Sequence, residues 1–353
     1  MNDIKFSPTE EVVLNLIYTD IKFIYNLIQD IEKQKANNFT IALLPYIALI
    51  YKEAYKWCSK NKKLRTCLPK TPNKIETYYE YYREYNKLLK EPISVINEKY
   101  KAEFHNAKDN FFSKSKFLKY LDIYNIYGIG TFNNDLVKLS PIYNTVYFSV
   151  IIPKFSWDNL EHIGEDFFKL SYHLGCFFRL FLDSHLDRLS GNVENTKIED
   201  YDFGAHTPPF HKVYIDEFLI FDLLCRCNFV IALNNYTNIF ETTKLRFTYN
   251  LYFYICEVID KINDYYNTNF TINSKYKDEE LRNAFMHYGI WKIVKNKVNP
   301  LDSFGGMTNI RLGIDWNNLL NFTISEIKLF SIQLDNYLSN NKLTHSYNLF
   351  NKA

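Results

Sequence analysis

Leu281-Arg282-Asn283-Ala284-Phe285-Met286-His287-Tyr288-Gly289 sorts its side chains by chemistry when it is wound as a helix. At about 100° per residue, Leu281, Ala284, Phe285, Tyr288 and Trp291 fall on one face. Asn283 and His287 stand at i and i+4 on the far side, with Arg282 on the flank between them. An apolar face of that width has to be covered, so the segment reads as part of a bundle helix over 277–298.

The same period recurs in both directions along the chain. Downstream it predicts a helix over 315–338, and upstream helices over 241–266, 213–235 and 157–189. Near the N-terminus, Ser7-Pro8-Thr9-Glu10 combines a capping serine, a proline suited to the first helical position and a glutamate that completes a capping box. Val12, Leu14, Ile17, Ile21, Ile24 and Leu27 then place a helix over 8–33. A second runs over 39–60, kinked or started near Pro45, and a tyrosine-rich one over 75–89.

Pro69 and Pro72 mark 61–73 as a loop, and Gly191, Gly204, Pro208 and Pro209 mark a long one over 190–212. Only Val146 to Ile152, bracketed by Gly128, Gly130, Pro141 and Pro153, looks strand-like. The expected fold is therefore mainly α: a helical bundle over 157–340, an N-terminal helical, basic region over 1–135, a junction over 136–156 with at most a small β-hairpin near 142–153, and a frayed tail over 341–353.

Composition narrows the class. Of 353 residues 18% are aromatic, with 29 Tyr and 29 Phe against 10 Gly and 10 Pro, which excludes disorder, collagen-like repeats and turn-dense β architectures. A formal net charge of +2 offers no global argument for nucleic acid, but residues 51–120 hold 17 Lys and Arg against 8 Asp and Glu. Such a block reads either as solvated helix faces or as a track for a phosphate backbone.

The six cysteines form no C-x-x-C pair and no zinc-finger spacing, so no metal is expected. MNDIKFSPTEE has no apolar core of a signal peptide, and Ile41 to Tyr51, the longest apolar stretch, is interrupted by Pro45 and too short to span a bilayer. A cytoplasmic protein with reduced thiols and no membrane partner is expected.

Arg282 to His287 resembles the R-x4-6-H signature of the HEPN superfamily, in the form with a polar residue directly after the arginine. Arg179 to His185 (RLFLDSH) also fits the bare spacing, but an apolar Leu180 follows its arginine and the segment reads as an amphipathic core helix. Asn283, the apolar face, the glycine after the histidine and the place in the penultimate helix distinguish the second match. The resemblance implies a HEPN-like bundle and a metal-independent endoribonuclease of toxin–antitoxin or anti-phage defence systems, without cofactor. It further implies His287 and Arg282 as catalytic residues, Asn283 at the polar position, a homodimer with a composite site, an RNA substrate, and an antitoxin or regulatory protein as partner.

The chemistry suits these side chains. The ribose 2′-OH is the nucleophile, so the enzyme supplies a base for its proton, an acid for the 5′-oxygen and a cation for the phosphorane charge. A histidine serves as base or acid near neutral pH, and arginine presents planar donors to phosphate oxygens. One imidazole cannot readily serve as acid and base in one step, which favours a second copy.

In IETYYEYYREYNKLL, Tyr78, Tyr81, Tyr82, Arg83 and Tyr85 are the candidate RNA contacts, by stacking and by charge, with core packing as the other reading. His206 and His211 flank Pro208-Pro209 in the long loop and read as local or solvent-exposed. Ser303 to Met307 (SFGGM) lacks the Lys-Ser/Thr of a P-loop, and Cys225 and Cys227 fall on a helix expected to be buried. A non-catalytic helical module binding a nucleotide, an RNA or a protein, or a helical scaffold, stays open beside the nuclease.

Overall fold

The N-terminal capping box forms as read. In the computed structural model, Ser7 Oγ accepts the Glu10 N–H at 3.3 Å and Glu10 Oε2 accepts the Ser7 N–H at 2.8 Å, opening helix α1, Pro8–Gln34. Helix α2, Asn37–Lys60, contains Pro45, and a 3₁₀ turn at Arg65–Cys67 follows it. The structure describes residues 5–34, 37–68, 89–99, 126–132, 142–143, 197–203, 217–235 and 240–341, with single positions at 75, 76, 79, 80, 83 and 102. The expected helix over 157–189, with Arg179 and His185, lies outside them, as do Val146 to Ile152, His206, His211 and the tail beyond 341.

The chain is mainly α. Helix α3, Phe218–Asn235, is buried at every residue from 219 to 230, and helix α4, Glu241–Tyr266, at every residue from 242 to 256. Helices buried around most of their circumference belong at the centre of a bundle, and these two form it, with Lys244, Arg246 and Asn250 among the polar side chains they bury. Helix α8, Trp316–Asn341, packs on both, while α1 packs on α2 and α4. Residues from Val12 to Leu338 share one core, so α1 and α2 are built into the same body as the C-terminal helices. Among the described residues no helix is long and apolar enough to cross a membrane.

The β content is larger than the single hairpin expected near 142–153. Strands β1 (Ile126–Phe132), β2 (Ile142–Tyr143) and β3 (Lys197–Phe203) form an antiparallel sheet in the order β2-β1-β3, with Gly128 opposite both Tyr143 and Tyr201. Gly128 and Gly130, read as bracketing the strand-like run, lie inside β1, and β3 comes from the stretch read as a loop. KIEDYDF carries too few apolar residues to show a period of two, and its pairing comes from backbone hydrogen bonds to β1.

The helix expected over 277–298 is also broken. Helix α5 is Glu279–Met286 and helix α6 is Ile290–Val294, with His287 as the C-cap of α5. The Gly289 N–H reaches the Ala284 carbonyl at 2.9 Å, the closure of a Schellman motif, and Tyr288 takes the left-handed position usually given to glycine, at φ 50°. Trp291, placed on the core face by continuing the helix, is instead 59% exposed, while Leu281, Ala284, Phe285 and Tyr288 are buried as expected. Helix α7, Met307–Leu312, follows a turn in which Gly305 and Gly306 have positive φ, giving the SFGGM glycines a structural role.

Candidate functional site

Four helical stripes line one cleft of about 830 Å³. Leu49, Lys52, Lys56 and Ser59 recur at helical spacing along α2, and Asn250 and Tyr254 stand one turn apart on α4. Arg282 and Met286 come from α5, and His287 from the cap that ends it. Glu76, Tyr79 and Arg83 face the same space from the tyrosine-rich segment, with Lys90 beyond them. The lining also includes Tyr55, so among the described residues five Lys and Arg side chains and three tyrosines surround a single lining carboxylate, Glu76, which is ion-paired to Lys52.

The imidazole of His287 is tethered from below. Its Nδ1 lies 2.9 Å from Oε2 of Glu53, an α2 carboxylate only 1% exposed, whereas the His287 side chain is 45% exposed. The other Glu53 oxygen, Oε1, accepts a hydrogen bond from the Tyr79 hydroxyl, and Lys56 Nζ stands 3.9 Å from Oε2. Burial raises the Glu53 carboxyl, but the hydrogen bond and charge of His287, the Tyr79 hydroxyl and Lys56 outweigh it and hold the group below its ordinary 4.5. Burial and the neighbouring carboxylate push the Tyr79 phenol up, so it stays a donor.

This arrangement gives a pH dependence of stability. A carboxyl held below its unfolded value stabilises the fold fully above about 4.5 and loses that contribution as the pH falls through its folded value. The difference in unfolding free energy between wild type and Glu53→Gln is therefore expected to be largest near neutral pH and to shrink below about 4.5, as measured by urea titrations across that range.

Arg282 is held by aromatic faces rather than by a carboxylate. Its guanidinium carbon lies 5.0 Å from the Phe253 ring centroid and 5.1 Å from that of Tyr254, and among the described residues no acidic side chain forms an ion pair with it. Among the described residues its buried Nε finds no hydrogen-bond partner. A guanidinium fixed by π-faces keeps its donors for an anion entering the cleft. Helix α5 that carries it is fixed at its start by Asp278, whose Oδ1 accepts the Leu281 N–H at 2.7 Å and whose Oδ2 accepts Arg311 Nε at 2.8 Å.

Of the residues singled out by sequence, Arg282, His287 and Arg83 meet in the cleft. Asn283 is half-buried and does not line it; its backbone carbonyl accepts the His287 N–H at 3.1 Å. His287 is not presented from a continuous helix at i+4 but from a cap, because the backbone turns at Tyr288. Arg83 is exposed, with its guanidinium carbon 5.8 Å from the Tyr79 ring centroid. Tyr78, Tyr81, Tyr82 and Tyr85 lie outside the described residues. Cys225 and Cys227 are buried free thiols, as expected of core residues.

Glu53, Tyr79, Lys52, Lys56, Lys90, Asn250 and Tyr254 join the site through packing alone and carry no motif in the sequence. One signal was present: at helical spacing Glu53 falls at the edge of the apolar arc formed by Ile47, Ile50, Ala54 and Cys58, where a carboxylate is costly unless paired. Among the described residues no three His, Cys, Asp or Glu side chains come together as metal ligands. In comparisons with known proteins, no family model, no curated protein and no solved structure matches the chain.

Proposed function

We propose that this chain is a metal-independent endoribonuclease of the HEPN type, acting as a toxin or anti-phage defence effector, with its full site formed when two copies pair. The observation that supports this reading most is the convergence of Arg282 and His287 on one basic, tyrosine-lined cleft, with the imidazole tethered through Nδ1 and its Nε2 left for a substrate. The cationic lining suits a polyanion, and the half-buried Tyr55 at its wall offers an aromatic surface to a base of single-stranded or looped RNA.

In the proposed reaction His287 Nε2 takes the proton of the ribose 2′-OH. The 2′-oxygen attacks phosphorus as the bond from phosphorus to the 5′-oxygen breaks, and an acid protonates that oxygen. The products are a 2′,3′-cyclic phosphate and a 5′-hydroxyl end. Arg282 neutralises the charge that gathers on the phosphorane oxygens, and the imidazolium of a second copy is the acid.

The test is incubation of the purified chain with total RNA in EDTA, followed by end-group analysis. Cleavage leaving 2′,3′-cyclic phosphates is expected, and its absence over a range of RNAs overturns the reading in favour of a binding module. Arg282→Ala is expected to lower kcat by about 10²–10³-fold, and Arg282→Lys by roughly 10²-fold, because a point charge does not reproduce the planar fork.

A further inference from the structure

Glu53 stands out among the groups that the proposed reaction does not use. It is a carboxylate 1% exposed in the middle of α2, and removing such a group from water is costly unless its oxygens are satisfied. Both are satisfied, and by different partners: Oε1 by the Tyr79 hydroxyl and Oε2 by His287 Nδ1 at 2.9 Å. Among the described residues the Lys or Arg side chain in range of it, Lys56, is 3.9 Å away and half-exposed, so the close partner of the carboxylate is the imidazole itself.

We propose that Glu53 is a positioning residue, which holds neutral His287 in the form protonated at Nδ1 and turns its unprotonated Nε2 to the cleft, with Tyr79 fixing the carboxylate. An ionised carboxylate only accepts hydrogen bonds, so contact at 2.9 Å requires the imidazole hydrogen on Nδ1. Without that tether the ring is free to rotate and to exchange tautomers, and a base at Nε2 is available for only part of the time. The two hydrogen bonds also join three segments, α2, the turn after α5 and the tyrosine-rich segment, at one carboxylate. Movement of Tyr79 would therefore be felt at His287 through Glu53.

The tautomer is a property of the ring, whereas its catalytic consequence rests on the ribonuclease reading, and the two are measured separately. Long-range ¹H–¹⁵N correlation spectra of ¹⁵N-histidine-labelled full-length protein, in mildly alkaline buffer and assigned with His287→Ala, show which ring nitrogen carries the hydrogen. The unprotonated nitrogen signal of His287 is expected at Nε2. A wild-type signal with Nδ1 unprotonated overturns the proposal without any variant of Glu53.

In Glu53→Gln, whose amide can donate to Nδ1 as well as accept from it, the signal is expected to move toward the Nε2-protonated form. With cleavage present, kcat is expected to fall by about 10²-fold or more while KM stays within about two-fold, since orientation and not substrate contact is lost. A folded Glu53→Gln with unchanged tautomer and unchanged kcat overturns the proposal. Tyr79→Phe, which removes only the hydroxyl, is expected to keep the tautomer and lower kcat several-fold, so the wild-type spectrum and this variant decide the matter even where Glu53→Gln does not fold. Should the wild type cut no RNA, the ribonuclease reading fails by itself, and the spectra still decide whether Glu53 sets the tautomer.

Discussion

His287→Ala is expected to lower RNA cleavage by about 10³–10⁴-fold while leaving the fold intact. The size follows from the loss of general acid–base catalysis at both proton transfers, because in a paired site each copy loses the same group. The fold should survive because the His287 side chain is 45% exposed, so truncation empties no core volume and opens the uncovered Glu53 oxygen to water, at a cost of about 1–3 kcal/mol in stability. RNA binding should persist, since Lys52, Lys56, Lys90, Arg83 and Arg282 still line the cleft. Single-turnover cleavage in EDTA, beside a filter-binding titration of the same RNA, measures the two effects. Equal cleavage by wild type and variant removes His287 from the chemistry, and a parallel loss of binding and cleavage makes it a binding residue instead. In cells, expression of the wild type is expected to depress growth and expression of the variant to relieve it.

The second large effect is one of stability. Asp20→Ala is expected to cost about 3–5 kcal/mol, the range found when one partner of a buried ion pair is removed and the other is left uncompensated. Asp20 is fully buried in α1, where it pairs with Arg246 of α4 and accepts hydrogen bonds from the Tyr288 hydroxyl at 2.6 Å and from Thr243 Oγ1 at 2.7 Å. Arg246, 1% exposed, also donates from Nε to the Phe285 carbonyl at 2.7 Å, and its guanidinium carbon lies 4.1 Å from the Tyr288 ring centroid.

The network thus grips the end of α5 by its backbone and by the residue after His287. A tyrosine in the left-handed region is strained, and such strain persists only where the surroundings over-determine it. Urea unfolding at neutral pH measures the loss, and a shift of under about 1 kcal/mol would mean that the network does not hold the turn. Asp20→Leu combined with Arg246→Met should recover much of the stability of the single variant, since no charge is then left buried alone. The position of His287, however, should not recover, and cleavage by the double variant is expected to stay low.

Most helices were legible because their signals are local. The boundaries read for α1, α2, α4 and α8 agree with those observed to within a few residues, from apolar spacing and from caps such as Ser7 and Glu10 that lie within one turn of what they stabilise. The apolar face of α5 was legible for the same reason, and with it the placement of Leu281, Ala284 and Phe285 in the core. The strand Lys197–Phe203 was not, since its acidic residues give no alternation and its pairing depends on a partner strand far along the chain.

The candidate site divides along the same line. By itself the sequence determined a helical chain, a basic tyrosine-rich block and an Arg282–His287 pair at a suggestive spacing, because periodicity, composition and spacing are properties of neighbours. Only the tertiary structure decided that α5 stops at His287, since the left-handed Tyr288 is stabilised by Asp20, 268 positions away. It alone decided that Glu53 and Tyr79 stand behind the imidazole and that Arg282 rests on Phe253 and Tyr254. Contacts across helices follow from the packing of a whole core, in which a carboxylate at the edge of one apolar face meets whatever side chain the neighbouring helix brings to it.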